Sequence, residues 1–177
     1  MNKRAGNTEK SGLIKGAEFF KQLRILHFAL VTGLILIAAI LYFTSGHDIA
    51  FAKQENKSLI LMIAGLLIAS FFGGNYVFRS MMRTINYERD LIHKMDKARK
   101  AYISKLAFFE FAGIISIFLF FVKADLAFLA YGSIMIIYMT INSPSKKILF
   151  SSMQLSNEEI RKIEDEHEPV SSNNKGL

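Results

Sequence analysis

The sequence predicts an all-α fold: a four-helix transmembrane bundle with a long amphipathic cytoplasmic helix between spans 2 and 3. Three observations point there. Of the 177 residues, 51% are apolar and only two are proline, which is too apolar and too unbroken for an ordinary soluble domain. Charged residues delimit four apolar runs, about 25–43, 59–78, 106–122 and 126–141. At ~1.5 Å rise per residue against a hydrocarbon core of ~30 Å, the first two cross comfortably and the last two need a few flanking residues. The third observation is that the bases crowd into alternate connections, as the positive-inside rule requires of a multi-pass chain.

The same composition removes whole classes of function. There is no cysteine, so disulfide frameworks, thiolate nucleophiles and Cys-based zinc or iron–sulfur sites are excluded. The formal charge of +7 does not imply nucleic acid, because the bases flank apolar runs, as expected of residues that hold a protein in a bilayer.

Residues 1–12 are polar and poor in bulky apolar groups, and read as a disordered cytoplasmic tail. In 13–24, Leu13, Ala17 and Phe20 recur at helical spacing among lysines. That pattern fits either a short helix on the inner leaflet or a simple extension of the first span. The first span follows a 24-residue segment dense in polar residues and is longer than a typical apolar signal core, so it is read as a retained helix and not a signal peptide. Lys3, Arg4, Lys10, Lys15, Lys21 and Arg24 precede it, whereas the connections 44–58 and 123–125 hold only Lys53, Lys57 and Lys123. Both termini and the middle segment are therefore expected in the cytoplasm.

The middle segment, about 80–105, places Met81, Ile85, Ile92, Met95, Ala98 and Tyr102 at helical spacing, with bases on the remaining positions. One amphipathic helix running into the third span is predicted. From Arg79 to Lys105 it carries eight bases against three acids. Arg83, Arg89, Lys94, Lys97, Arg99 and Lys100 are the residues expected to meet anionic headgroups or an acidic partner, or merely to solvate the helix and fix topology. The membrane domain spans 13–147. Beyond it, 148–177 is an acidic tail in which Ser156 and Glu159 have capping-box spacing, predicting a short helix over about 157–167 ahead of Pro169. Docking of that acidic helix on the basic middle segment is expected.

Two further patterns bear on packing. With an offset of 80, Phe28 falls on Phe108 and Gly33 on Gly113; with an offset of 67, Gly65 falls on Gly132, Asn75 on Asn142 and Arg79 on Lys146. Duplicated hairpins produce this, and so does chance alignment of apolar runs. Gly65, Ala69 and Gly73 fall on one stripe of the second span, a packing face for another helix of the chain or of a second copy.

Near the basic end of each apolar run stands a strongly polar residue: His27, Asn75, Glu110 and Asn142. Counted from the flanking bases, all four lie ~4–8 Å inside the boundary. They are expected to turn inward and satisfy one another, because a polar group facing lipid is costly. Two uses compete: a helix-locking network, or a proton path built on Glu110 and His27. A carrier site belongs near the midplane, so the locking reading is preferred. No catalytic, cofactor or metal residues emerge. His47 and Asp48 offer two ligands only, and Ser151 and Ser152 have no base, oxyanion or phosphate-cradling motif nearby.

The stretches "FKQLRILHFALVTG", "FFEFAG" and "NSPSKKILFSSMQLSNEE" resemble a family of small four-helix inner-membrane proteins of Bacteroidetes, over most of residues 19–160. That family carries a Glu-Gly pair in the third span and a basic "PTKEK" ending. Here Phe111 and Ala112 separate Glu110 from Gly113, and 143–147 match the ending in part. The resemblance implies a bacterial inner-membrane location and no particular chemistry. A fainter similarity is to the proteolipid c subunit of rotary ATPases, which implies Glu110 as an ion carrier; the long middle connection departs from that pattern. The function expected is a non-enzymatic structural, assembly or regulatory membrane component, as a homo-oligomer or within a larger complex. The alternative is a proton- or cation-translocating subunit.

Overall fold

A computed structural model describes residues 16–46, 49–87, 91–153 and 155–164. It is all-α. The helices are α1 (Gly16–Thr44), α2 (Lys57–Arg83), α3 (Leu91–Lys123), α4 (Leu126–Ile141), α5 (Lys146–Met153) and α6 (Asn157–Glu164). Short 3-10 turns at Gln54–Asn56 and Thr84–Tyr87 flank α2. Three stretches, Glu18–Thr44, Gln54–Arg83 and Leu91–Lys123, are long and apolar enough to cross a membrane. The fourth apolar helix, α4, has 16 residues, about 24 Å of rise and short of a ~30 Å core.

α3 is the hub. It packs against α1, α2 and α4, and α1 and α2 each meet α4 but hardly meet each other. Its buried positions, among them Tyr102, Leu106, Phe109, Gly113, Ser116, Ile117 and Phe120, follow a 3–4 spacing that makes one broad inward stripe. The opposite side exposes Phe111, Ile114, Phe118 and Val122, and α1 and α2 likewise expose Leu36, Ile40, Phe43, Leu61 and Phe72. Outward-facing leucine, isoleucine and phenylalanine over the whole girth is what a lipid solvent selects.

The segment about 80–105, expected as one helix, is split. α2 continues to Arg83, where the Thr84 hydroxyl donates to Met81 O at 2.8 Å and satisfies a terminal carbonyl. Ile85 is fully buried at the turn, and the chain reverses into α3. Doubling back lets Leu91, Met95, Ala98 and Tyr102 bury their apolar face inside the protein, where a straight helix of that length would leave it bare. The start of the chain resolves in favour of the extended first span: α1 is unbroken from Gly16, with Phe19, Phe20 and Leu23 buried. Residues 1–12 and Leu13, Arg89, the His47–Asp48 pair and the tail beyond 164 lie outside the described residues.

Pro144 sits between α4 and α5, where its ring ends the preceding helix. α6 opens on the predicted capping box: the Ser156 amide donates to Glu159 Oε2 at 2.8 Å and the Glu159 amide to Ser156 Oγ at 3.2 Å. Lys94 Nζ of α3 donates to Glu159 Oε1 at 2.6 Å, and Ile163 is buried. The acidic tail helix thus docks on the middle segment through a carboxylate that also caps it.

Candidate functional site

Polar groups enter the bundle at both ends, the basic end marked by the α2–α3 turn and the far end marked by the connections 45–56 and 124–125. At the basic end, His27 of α1 is fully buried. Its Nδ1 lies 2.9 Å from the Tyr102 hydroxyl of α3, and that hydroxyl is 3.3 Å from the carbonyl oxygen of Asn142, where α4 ends. One hydroxyl hydrogen serves only one acceptor. If it goes to Asn142 O, the imidazole must donate through Nδ1; if it goes to Nδ1, the imidazole carries its hydrogen on Nε2. Nε2 is buried and has no hydrogen-bond partner, although the Met139 backbone lies beside the ring. Three helices therefore meet at one tyrosine, which makes both bonds only with the tautomer that carries its hydrogen on Nδ1.

About one turn deeper, Asn75 Nδ2 of α2 donates to Tyr138 Oη of α4 at 3.3 Å and to Phe71 O, four residues back, at 2.8 Å. Asn142 Nδ2 likewise donates to Tyr138 O, four residues back, at 2.9 Å. The two asparagines paired by the offset of 67 thus make the same i−4 bond. Glu110 joins neither group. It is half-buried on the flank of α3 and makes no hydrogen bond or ion pair among the described residues. The structure does not bring His27, Asn75, Glu110 and Asn142 together as side chains. The reason is angular: Phe109 faces α2 and α4, where it meets Gly74 and Tyr138, and Glu110 is turned ~100° away from it.

The small-residue stripe divides in the same way. Gly65 has nothing within 4 Å of where a Cβ would stand, Ala69 is exposed, and Gly73 touches only the Phe108 ring at 3.4 Å. The close approach runs through other glycines. At Gly74 a Cβ would lie 3.3 Å from Lys105 O and 3.1 Å from Phe109, and at Gly132 it would fall 2.7 Å from Ile117. Interhelical packing thus uses the neighbouring stripe, and Gly65 and Ala69 look outward.

The expected headgroup-facing bases are partly committed inside the chain. Lys94 pairs with Glu159, Lys97 Nζ donates to Thr84 O at 3.2 Å, and Lys100 pairs with Asp96 at 2.7 Å on the exposed face. Arg99 is half-buried and Arg83 exposed.

The far end holds the most fully satisfied polar group. Asp125 is completely buried between α3 and α4. Its Oδ1 accepts from the amides of Ala52 at 2.8 Å and Ala127 at 3.0 Å, and its Oδ2 accepts from the Lys53 amide and Asn56 Nδ2, both at 2.9 Å. A bridge beside it links Ala50 N to Ala124 O and Leu126 N to Ala50 O. Lys53 Nζ reaches Lys123 O at 3.3 Å. Burial alone would raise the Asp125 carboxyl, but the donors, Asn56 foremost, outweigh it and hold it below the usual carboxylate range. The backbone bends to allow this, since Ala52 and Ala124 take left-handed φ of 51° and 47°. Asp125 is thus an N-cap for α4 and a latch for the α1–α2 connection at once. Sequence reasoning passed over it, yet the signal was present: an aspartate immediately ahead of an apolar run is the commonest helix start.

No family model matches the chain, and no curated protein and no solved structure matches it either.

Proposed function

We propose that the chain is a four-span inner-membrane protein with both termini and the α2–α3 turn in the cytoplasm, serving as a non-enzymatic structural, assembly or regulatory component of a membrane complex. The orientation rests on the bases gathered at one end of the bundle. For α4 to cross, its path must extend toward Ser143. The matching i−4 bonds of Asn75 and Asn142 support reading the molecule as two duplicated hairpins.

One observation carries the structural role: the buried polar groups join helix to helix, His27 to Tyr102 and Asp125 to Ala52, Lys53 and Asn56, and do not form a row from one end to the other. A second reading has its own support. Glu110 is a half-buried carboxyl without a partner on an apolar helix, and such groups mark ion paths. Proton flux into vesicles separates the two. The structural reading expects the reconstituted protein and its Glu110→Gln variant to conduct no faster than protein-free vesicles. A flux present in the parent and abolished in Glu110→Gln overturns it in favour of a carrier.

A further inference from the structure

Along α2 the side chains of one open groove change character within about three turns. Phe71 and Phe72 form its apolar end, Tyr76 and Tyr138 its middle, and Arg79 and Arg83 its end beyond the apolar run. Its volume is about 820 Å³, within the range of small-molecule sites. Neither arginine makes a hydrogen bond or ion pair among the described residues. Arg79 is close enough to Lys105 for the two cations to repel, and the Lys105 ammonium sits over the Phe78 and Phe109 rings at 5.3 and 5.7 Å from their centroids. Three cations thus gather at the foot of an apolar trough, and among the described residues no carboxylate pairs with Arg79 or Arg83.

A groove of the same make lies on α1. Lys21, Arg24 and Lys146 rim it, and Phe20, Ile25 and Phe28 line it. It too stands at the basic end, and Lys146 lies 5.8 Å from the Phe20 ring.

We propose that the α2 groove is a binding site for an anionic phospholipid, with the acyl chains along Phe71 and Phe72 and the headgroup held by Arg79 and Arg83. The charge argument selects the lipid. Guanidinium groups bind phosphate through paired N–H donors, and a ligand negative at one end and apolar for ~12 Å at the other matches the spacing from Phe71 to Arg79 along a helix. A free anion would leave the phenylalanine end unused, and a zwitterionic lipid would bring a cation to a cluster already in excess. The proposal rests on the reading of α2 as a membrane span whose basic end reaches the headgroups.

The chain has no tryptophan, so Tyr76→Trp puts a lone indole in the groove and Phe43→Trp puts one at the far end of α1, where Phe43 is 84% exposed. Each full-length variant is reconstituted in mixed vesicles in which either the anionic or the zwitterionic lipid carries brominated chains, and indole quenching is measured. Expected for Tyr76→Trp is quenching by brominated anionic lipid equivalent to at least about fivefold its mole fraction, the factor provided by a single basic residue at the surface. Expected for Phe43→Trp is quenching in proportion to mole fraction. Adding Arg79→Gln and Arg83→Gln to Tyr76→Trp returns its quenching to the mole fraction.

Proportional quenching of both indoles overturns the lipid site and leaves the membrane reading standing. Absence of quenching in both overturns the two together. Preference for anionic lipid that survives loss of both arginines overturns the assignment of the headgroup to them.

Discussion

The two ends of the bundle are held by different chemistry. At the far end one carboxylate collects four N–H donors from three segments and none of its bonding capacity is wasted. At the basic end a single tyrosine is shared between an imidazole and a carbonyl, and the imidazole's other nitrogen has no hydrogen bond. A fully satisfied buried group rigidifies its surroundings, whereas a partly satisfied one leaves alternatives close in energy. The far end is therefore the more firmly fixed, and the basic end, which also carries the docked tail helix and both cationic grooves, keeps alternatives close in energy.

The sharpest way to break this contrast is to empty the latch. Asp125→Ala leaves the buried Asn56 side-chain amide and two part-buried backbone amides of the α1–α2 connection without acceptors and removes the N-cap of α4, a cost of ~3 kcal/mol. The thermal unfolding midpoint in micelles is expected to fall more for this variant than for any other single change named below. Tyr102→Phe at the other end removes the hydroxyl shared by His27 and Asn142. Its expected cost is ~1 kcal/mol, because interhelical hydrogen bonds within membranes average less than that. Equal losses for the two variants would erase the difference between the ends.

The smallest effect concerns the tail. Burial raises the Glu159 carboxyl, but the bond from Lys94 and the Ser156 amide lower it further and leave it below the usual glutamate range. A depressed carboxyl contributes stability that is present above its ordinary pKa and lost as pH falls through the lowered value. Cleavage of the docked tail by an acid-active protease is thus expected to stay slow down to about pH 4.5 and to quicken below it. Glu159→Gln should quicken cleavage at neutral pH by an amount corresponding to less than ~1 kcal/mol, since the pair is near the surface. A tail equally exposed at every pH would separate α6 from α3.

Much of the fold was legible because lipid-facing helices show themselves through composition alone. Three of the four apolar runs correspond to long helices, and the Ser156–Glu159 spacing gave the start of α6. The middle segment was misread because periodicity is blind to direction. Met81 and Ile85 keep step with Met95 and Ala98 whether the chain goes straight or doubles back, and only the weak helix formers Thr84, Ile85 and Asn86 hint at the turn. The site was less legible. Depth along a helix was estimated from flanking bases, but Lys105 does not mark the height at which His27 and Asn142 meet α3; Tyr102 does. Angle around the helix is not given by depth, which is why Glu110 stands apart from residues at its own height and why the close approaches within the chain run through Gly74 and Gly132, leaving the Gly65–Ala69 stripe outward, where only a second copy could meet it. Asp125 lies between runs, where a charged residue is ordinary until the loop that folds over it is known.

The central claim is that Asp125 pins the α1–α2 connection to the start of α4, and amide hydrogen exchange tests it residue by residue. In the parent protein in micelles the amides of Ala52, Lys53 and Ala127 are expected to exchange slowly, despite lying outside or at the very edge of helices. In Asp125→Asn, which loses the charge and keeps the shape, all three should exchange at least about tenfold faster, while amides around Tyr102 stay unchanged. Fast exchange at Ala52 and Lys53 in the parent, or protection there that survives the substitution, would contradict the account.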